Sequence, residues 1–233
     1  MGFMRELTNR LEKYQNPKQI ACLLEGEIPL ICPVSAMVSS FTKKSGGTRF
    51  FSKNCINILS SIKQIAKELL YSRRMSARLK VFNPSASELL QLAVHAQHIE
   101  RWKSPRSDYP DGRVGYLKWR QELGQFHAKC ASRVMTEQGY SDGDCARVRE
   151  LLQKKNLKRD TEMQCLEDVI CLVFIEHYLL NFVQKHSAGY SEEKLFKIVQ
   201  KAWNKMSPAG QAAALLLPLD KHLFNIIKSA LGI

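Results

Sequence analysis

Two histidines, four arginines and four large aromatics fall within the single stretch AVHAQHIERWKSPRSDYPDGRVGYLKWR (93–120). The guanidinium groups of Arg101, Arg106, Arg113 and Arg120 are planar forks that match two phosphate oxygens at once. Trp102, Tyr109, Tyr116 and Trp119 would supply rigid walls or stack on a base. This mixture predicts an electropositive, aromatic-lined pocket for a phosphorylated or otherwise anionic small molecule. His98 stands directly before the arginine-rich loop and is the candidate imidazole for acid–base work or metal ligation. His95, three residues earlier, reads as a histidine satisfied by a carbonyl or carboxylate.

Outside that stretch, His127 lies at helical spacing among Leu123, Phe126, Cys130, Ala131 and Val134, so its imidazole falls on or near an apolar face. Structural hydrogen bonding and metal ligation both explain it. Asp168 has Cys165, Cys171 and Leu172 one turn away and points into a core, where an ionised carboxylate needs an ion pair, hydrogen bonds or a metal. Glu176, flanked by Leu172, Val173, Leu179 and Leu180, is a supporting residue of the same kind. The non-metal alternative for these carboxylates is a buried pair with an arginine such as Arg74 or Arg120. Lys154 and Lys155, with Lys158 and Arg159, are either a solvated helix end whose cations complement the helix dipole or, if that helix ends at the pocket, a phosphate-holding turn.

Helices must position these groups. From Cys55, apolar residues recur at three- and four-residue spacing through Leu70, which predicts a first helix running to about Phe82, where Asn83-Pro84 stops it. Ser85 with Glu88 suggests a capping box for a second helix reaching about Trp102. A third helix runs from Tyr116 to about Gln138, with Gly139 just past its end. Ser141 and Asp144 open a fourth, which reaches Lys155. Thr161 with Gln164 caps a fifth, apolar on nearly every face and therefore central. Ser191 opens a sixth ending near Met206, and a final helical pair is split at Pro218. No alternating strand pattern appears, so the expected fold is all-α, a bundle of about six to eight helices.

The amino-terminal part differs. Residues 28–54 mix Pro29, Pro33 and the Gly46-Gly47 pair with isolated basic residues and no sustained period. Residues 1–54 are therefore expected to be a variable, poorly structured extension and 55–233 the helical domain. Organellar targeting by the extension is conceivable, although Glu6, Glu12, Glu25 and Glu27 are unlike a presequence. The most apolar early run is short and broken by prolines, so no membrane span is expected. Seven scattered cysteines without a C-x-x-C pair suit a reducing compartment, and the expectation is an intracellular, cytoplasmic protein. With 233 residues, 45% hydrophobic content and a net charge of +13, the chain can bury a large core and attract anionic partners.

The stretches ELLYSRRM, QHIERWKSPRSDYPDGRVGYLKWR, FHAKCA, LLQKKNLKRDTEMQCLEDVICLVFIEHYL and KAWNKMSPAGQAAAL resemble an uncharacterised family, domain of unknown function 4202, over about Glu68 to Leu217. The same segments look more distantly similar to HD-domain phosphohydrolases, helical proteins that hold one or two divalent metals. That second resemblance implies an HD-like bundle with His98 in the dyad histidine's place, Asp168 in the final aspartate's, and His127 as the extra histidine of two-metal members. The implied cofactor is a divalent metal ion (Mn, Fe, Mg or Zn) that activates water. Ile99 stands where the dyad aspartate belongs, and Arg74 where the first-helix histidine belongs; Arg74 thereby becomes a further candidate anion contact.

The leading functional expectation is binding, with metal-assisted hydrolysis, of a phosphorylated or anionic small molecule. One alternative is an RNA- or tRNA-binding module without catalysis, since basic residues interleaved with aromatics also suit single strands. Another is a degenerate domain whose polar core groups serve structure alone.

Overall fold

The computed structural model describes residues 67–186, 189 and 191–232; the expected extension 1–54 lies outside them. Helical residues 67–82 form α1, followed by α2 (Glu88–His95), α3 (Gly112–Glu137), α4 (Asp142–Leu152), α5 (Thr161–His177), α6 (Leu179–His186), α7 (Glu192–Trp203), α8 (Pro208–Leu215) and α9 (Lys221–Leu231). Short 3-10 turns at Arg101–Lys103 and Arg106–Asp108 bridge α2 and α3. No strand occurs among the described residues, so the all-α class holds. Among the described residues there are nine α-helices rather than six to eight, because the long apolar run expected to form the fifth helix breaks at Tyr178 into α5 and α6.

Side chains that satisfy the first free N–H groups decide where helices begin. α4 opens with a reciprocal capping box between Ser141 and Asp144, as its sequence predicts. α2 is capped by Ser87, which accepts the Leu90 N–H at 3.1 Å, not by Ser85, whose hydroxyl donates to the Asn83 side chain. α5 is capped by Asp160 rather than Thr161. The Asp160 carboxylate accepts from the amides of Glu162 and Met163, and a charged acceptor at a helix N-terminus is stronger than a hydroxyl. α2 stops at His95, well short of Trp102, because the chain turns through Ala96 and Glu100, the latter at a φ of 52°.

α5 lies at the centre. Ten of its seventeen residues are buried, and the eight apolar ones divide between two cores. Met163, Leu166, Val169 and Val173 pack with Leu92, Val134 and Val148 of α2, α3 and α4. Cys171, Leu172 and Ile175 pack with Leu179, Val199, Leu223 and Ile227 of α6, α7 and α9. Each fully buried leucine contributes roughly 2 kcal/mol of transfer free energy, so these two faces account for most of the drive to fold.

Asp168 fastens α8 to this helix. Its carboxylate is 1% exposed and accepts from the Ser207 amide at 2.7 Å, the Ser207 hydroxyl at 2.6 Å and the Gln164 side chain at 3.0 Å. The expected arginine pair is therefore replaced by a hydroxyl and an amide at the start of α8, where the helix dipole also favours the negative charge. Ser207 in turn accepts the Gly210 N–H at 3.1 Å. Glu176, the other carboxylate, pairs with Arg78 and not with Arg74 or Arg120.

The closeness of that joint gives a stability test. A Cβ at Gly210 would sit 2.6 Å from Asp168 Oδ1, whereas one at Gly139 would meet nothing within 4 Å and only the positive φ of 82° opposes it. Gly210→Ala should lower unfolding free energy by about 2–4 kcal/mol and Gly139→Ala by about 1 kcal/mol, measured by urea denaturation. Equal losses would mean the α8 joint tolerates a shift.

Candidate functional site

A cleft of about 440 Å³ opens where the end of α2, the middle of α3 and the turn after α4 meet. Gly124 lies beside the carboxyl end of α4, where a Cβ would stand 3.4 Å from the Leu152 carbonyl, close to ordinary contact. Arg120, Lys154 and Lys155 bring cations to the cleft, and His98 and His127 bring imidazoles. Gln97, Gln121, Gln125 and Gln153 bring four carboxamides. Leu123, Leu152 and Ile170 form its apolar floor, and Tyr71 a wall. No carboxylate is among the described residues that line it.

His98 faces the cleft because the left-handed turn at Glu100 sends Ile99 into the core and leaves the imidazole on the other side. Its ring stacks on Tyr71 with centroids 3.7 Å apart and planes at 10°. Arg101 Nη1 lies 2.6 Å from Nε2, and Glu68 Oε2 lies 2.8 Å from Nδ1. An arginine can only donate, so Nε2 carries the lone pair and Nδ1 donates its proton to Glu68. Both ring nitrogens are thus engaged. Burial, reinforced by Arg101, Arg120, Lys154 and Lys67, holds the His98 pKa well below the usual histidine value. Burial also raises the Glu68 carboxyl, against the pull of Arg101 and Lys67.

His127 is 4% exposed, and its Nε2 is buried without a hydrogen-bond partner. Burial holds its pKa well below normal too, aided by His98 and the positive field of Arg101 and Arg120. The two imidazole centroids are 6.2 Å apart.

The turn after α4 is unusual in its backbone. Lys154, Asn156 and Lys158 have φ of 57°, 60° and 70°, three left-handed non-glycine residues in one short segment. Lys154 reaches back to Glu167 at 2.7 Å, and Lys205 approaches the same carboxylate from the other side at 3.2 Å. Glu167 is 2% exposed. Burial works to raise its pKa, but the two ammonium groups win and hold it below the ordinary value.

The arginine and aromatic loop makes many of its contacts with itself and with α3. Arg106 donates to the carbonyls of Tyr109 and Pro110, both at 2.8 Å, and so closes its own loop. Arg113 is exposed on the first turn of α3. Trp119 is buried, donates to the Ser104 carbonyl at 3.0 Å, and lies between the guanidinium groups of Arg101 and Arg120 at 5.2 and 6.0 Å. Tyr109 donates to Glu122 at 2.7 Å, Tyr116 is exposed, and Trp102 is half-buried. Arg74 stacks over Tyr178 at 5.3 Å. Of the predicted anion contacts, only Arg120, Lys154 and Lys155 line the cleft, with Arg101 behind His98.

Nor are the three candidate metal ligands gathered. Asp168 is bound to Ser207, His98 to Glu68 and Arg101, and no group of three or more His, Cys, Asp or Glu placed to hold a metal occurs among the described residues. Sequence reasoning missed Gln97, Gln121, Gln125 and Gln153 altogether, along with Tyr71, Glu68 and Glu167. The one available signal was the spacing of Gln121 and Gln125, four residues apart on one face of α3.

A family model described as Domain of unknown function (DUF4202) matches residues 56–227, the family that the motifs resemble. No curated protein and no solved structure matches the chain. No helix among the described residues is long and apolar enough to cross a membrane.

The buried histidines make stability depend on pH. Burial, with Arg73 adding to it, lowers the His95 pKa to about 4, and His98 and His127 are lowered as well. A group whose folded pKa is depressed binds fewer protons when folded. Its stabilising contribution is complete above its unfolded value of about 6.5 and is lost as pH falls toward the folded value. Unfolding free energy should therefore drop between pH 6.5 and 4, with each neutral imidazole contributing up to about 1.4 kcal/mol per pH unit. His95→Asn should make that slope shallower by about one such increment in urea titrations; an unchanged slope would show that His95 is not held neutral.

Proposed function

We propose that this chain, which belongs to the DUF4202 family, binds a phosphorylated small molecule in the cleft formed by the end of α2, α3 and the turn after α4. The observation that carries this reading is the cleft's lining, three cations and four carboxamides with no acid among the described residues. An anion entering such a site exchanges water for fixed donors without meeting a like charge. Arg120 offers a fork for two phosphate oxygens, and exposed Lys155 offers a point charge at the rim. Lys154 is already partly neutralised by Glu167 and contributes less. Neutral His98 and His127 add no negative charge, and His127 Nε2 is free to hydrogen-bond.

The reading is one of binding. Hydrolysis of a phosphate ester, which the HD resemblance implies, needs a water activated by a metal or a base, and His98 and Asp168 are committed to other partners. A site enclosed on several sides also suits a small molecule better than an RNA strand, which wants basic residues spread along an open face.

Trp119, packed beside Arg120, provides the reporter. Titration of the full chain with pyrophosphate should change its fluorescence. Arg120→Gln and Lys155→Ala should each weaken binding roughly 10- to 100-fold, the worth of one hydrogen bond to a charged group, and Arg113→Ala should leave it unchanged. Wild-type affinity in both cleft variants would sink the reading. Tight binding of oligouridine with a log–log salt slope steeper than about −3 would favour RNA instead.

A further inference from the structure

Resting on that anion-binding reading, we infer that the rest of the ligand is a polyhydroxylated chain or ring, so that the cleft takes a sugar phosphate. The argument begins with atoms that the fold leaves unsatisfied. Among the described residues, five buried side-chain polar atoms have no hydrogen-bond partner, and two of them, Gln97 Nε2 and His127 Nε2, belong to residues that line this cleft. Gln97 is 7% exposed and His127 4%. Folded proteins rarely leave such atoms unpaired, because each forfeits its bonds to water for nothing in return. A ligand group seated in the cleft would complete both.

What that group must be follows from donor and acceptor capacity. Gln97 Nε2 can only donate, while His127 Nε2 donates or accepts according to its tautomer. A hydroxyl does both and so satisfies either nitrogen. The remaining carboxamides extend the same logic. Gln121, Gln125 and Gln153 each present a donor and an acceptor, the pair that adjacent hydroxyls on a sugar can bind at once.

Other classes fit less well. A nucleotide base needs an open aromatic face, and the ring that lines the cleft, Tyr71, is already stacked on His98 at 3.7 Å. Trp119 is held between two guanidinium groups, and Tyr109 is bonded to Glu122. An acyl chain would need more apolar lining than Leu123, Leu152 and Ile170 provide. A second carboxylate or phosphate on the ligand could accept from the carboxamide Nε2 groups but would offer no donor to their oxygens, whereas a hydroxyl serves both.

Calorimetric titration of the full chain with three probes, glucose 6-phosphate, inorganic phosphate and adenosine 5′-monophosphate, tests the inference. Glucose 6-phosphate should bind at least about tenfold more tightly than either of the others, the worth of one or two net neutral hydrogen bonds. Gln121→Ala and Gln125→Ala, at exposed positions where folding is not at stake, should each cost glucose 6-phosphate roughly fivefold and leave phosphate affinity unchanged. Gln97→Leu removes the unpaired donor, so it should weaken the sugar phosphate while raising the thermal midpoint of the free protein. Equal affinity for all three probes, or tighter binding of the nucleotide, overturns the sugar assignment and leaves the anion site standing. No binding of any probe overturns both.

Discussion

Two adjacent buried carboxylates in the middle of α5 fix how its neighbours dock on it. Glu167 and Asp168 are both almost completely buried in α5, yet they point to different neighbours. Glu167 takes an ammonium group from the turn after α4, and Asp168 takes the amide and hydroxyl that begin α8. A buried ionised carboxylate is tolerable only when its lone pairs are filled, so each fixes its partner segment more tightly than apolar contact alone would. The two cores meet along α5, and these polar joints set the register in which the outer helices dock on it.

From Glu167 the same constraint reaches the cleft. Lys154, held against that carboxylate, is itself left-handed, as are Asn156 and Lys158, and Lys155 beside it lines the cleft. On the opposite wall a chain of contacts runs from Glu68 through His98 and Arg101 to Trp119 and Arg120. Each member is oriented by the one before it. Repulsion among the cations is relieved by an aromatic face and a neutral imidazole, with Glu68 bonded to that imidazole's Nδ1.

The helices were largely legible in the sequence because their apolar residues repeat at a helix's own period, and Ser141, Ser191 and Gly139 mark ends that local chemistry decides. The early end of α2 was not, since it depends on Ile99 being drawn into a core built by distant segments. Among site residues, His98, Arg120, Lys154 and Lys155 stood out by type. Arg106 and the loop aromatics stood out equally but serve the loop itself, whose carbonyls lack helical partners and need donors. The glutamines gave almost no signal, because a carboxamide on a helix surface is ordinary until another helix end arrives opposite it. Asp168 was read correctly as buried. Its partner was not, because a serine thirty-nine residues away leaves no mark in local sequence.

Arg147 carries one more consequence. It projects from α4 and binds Asp160 through two nitrogens and Glu162 through two, across the turn that contains Lys154 and Lys155. Arg147 first of all, through these hydrogen bonds, keeps the Asp160 pKa down near 2, so the clasp stays charged across the physiological range. The ends of the lysine-bearing turn are therefore tied together like the two sides of a buckle, and its awkward backbone has nowhere to relax. Most flexible basic loops surrender conformational freedom when an anion arrives, which weakens their grip. Here Arg147 ties the two ends of the turn together before any anion arrives, so less of that freedom is left to lose.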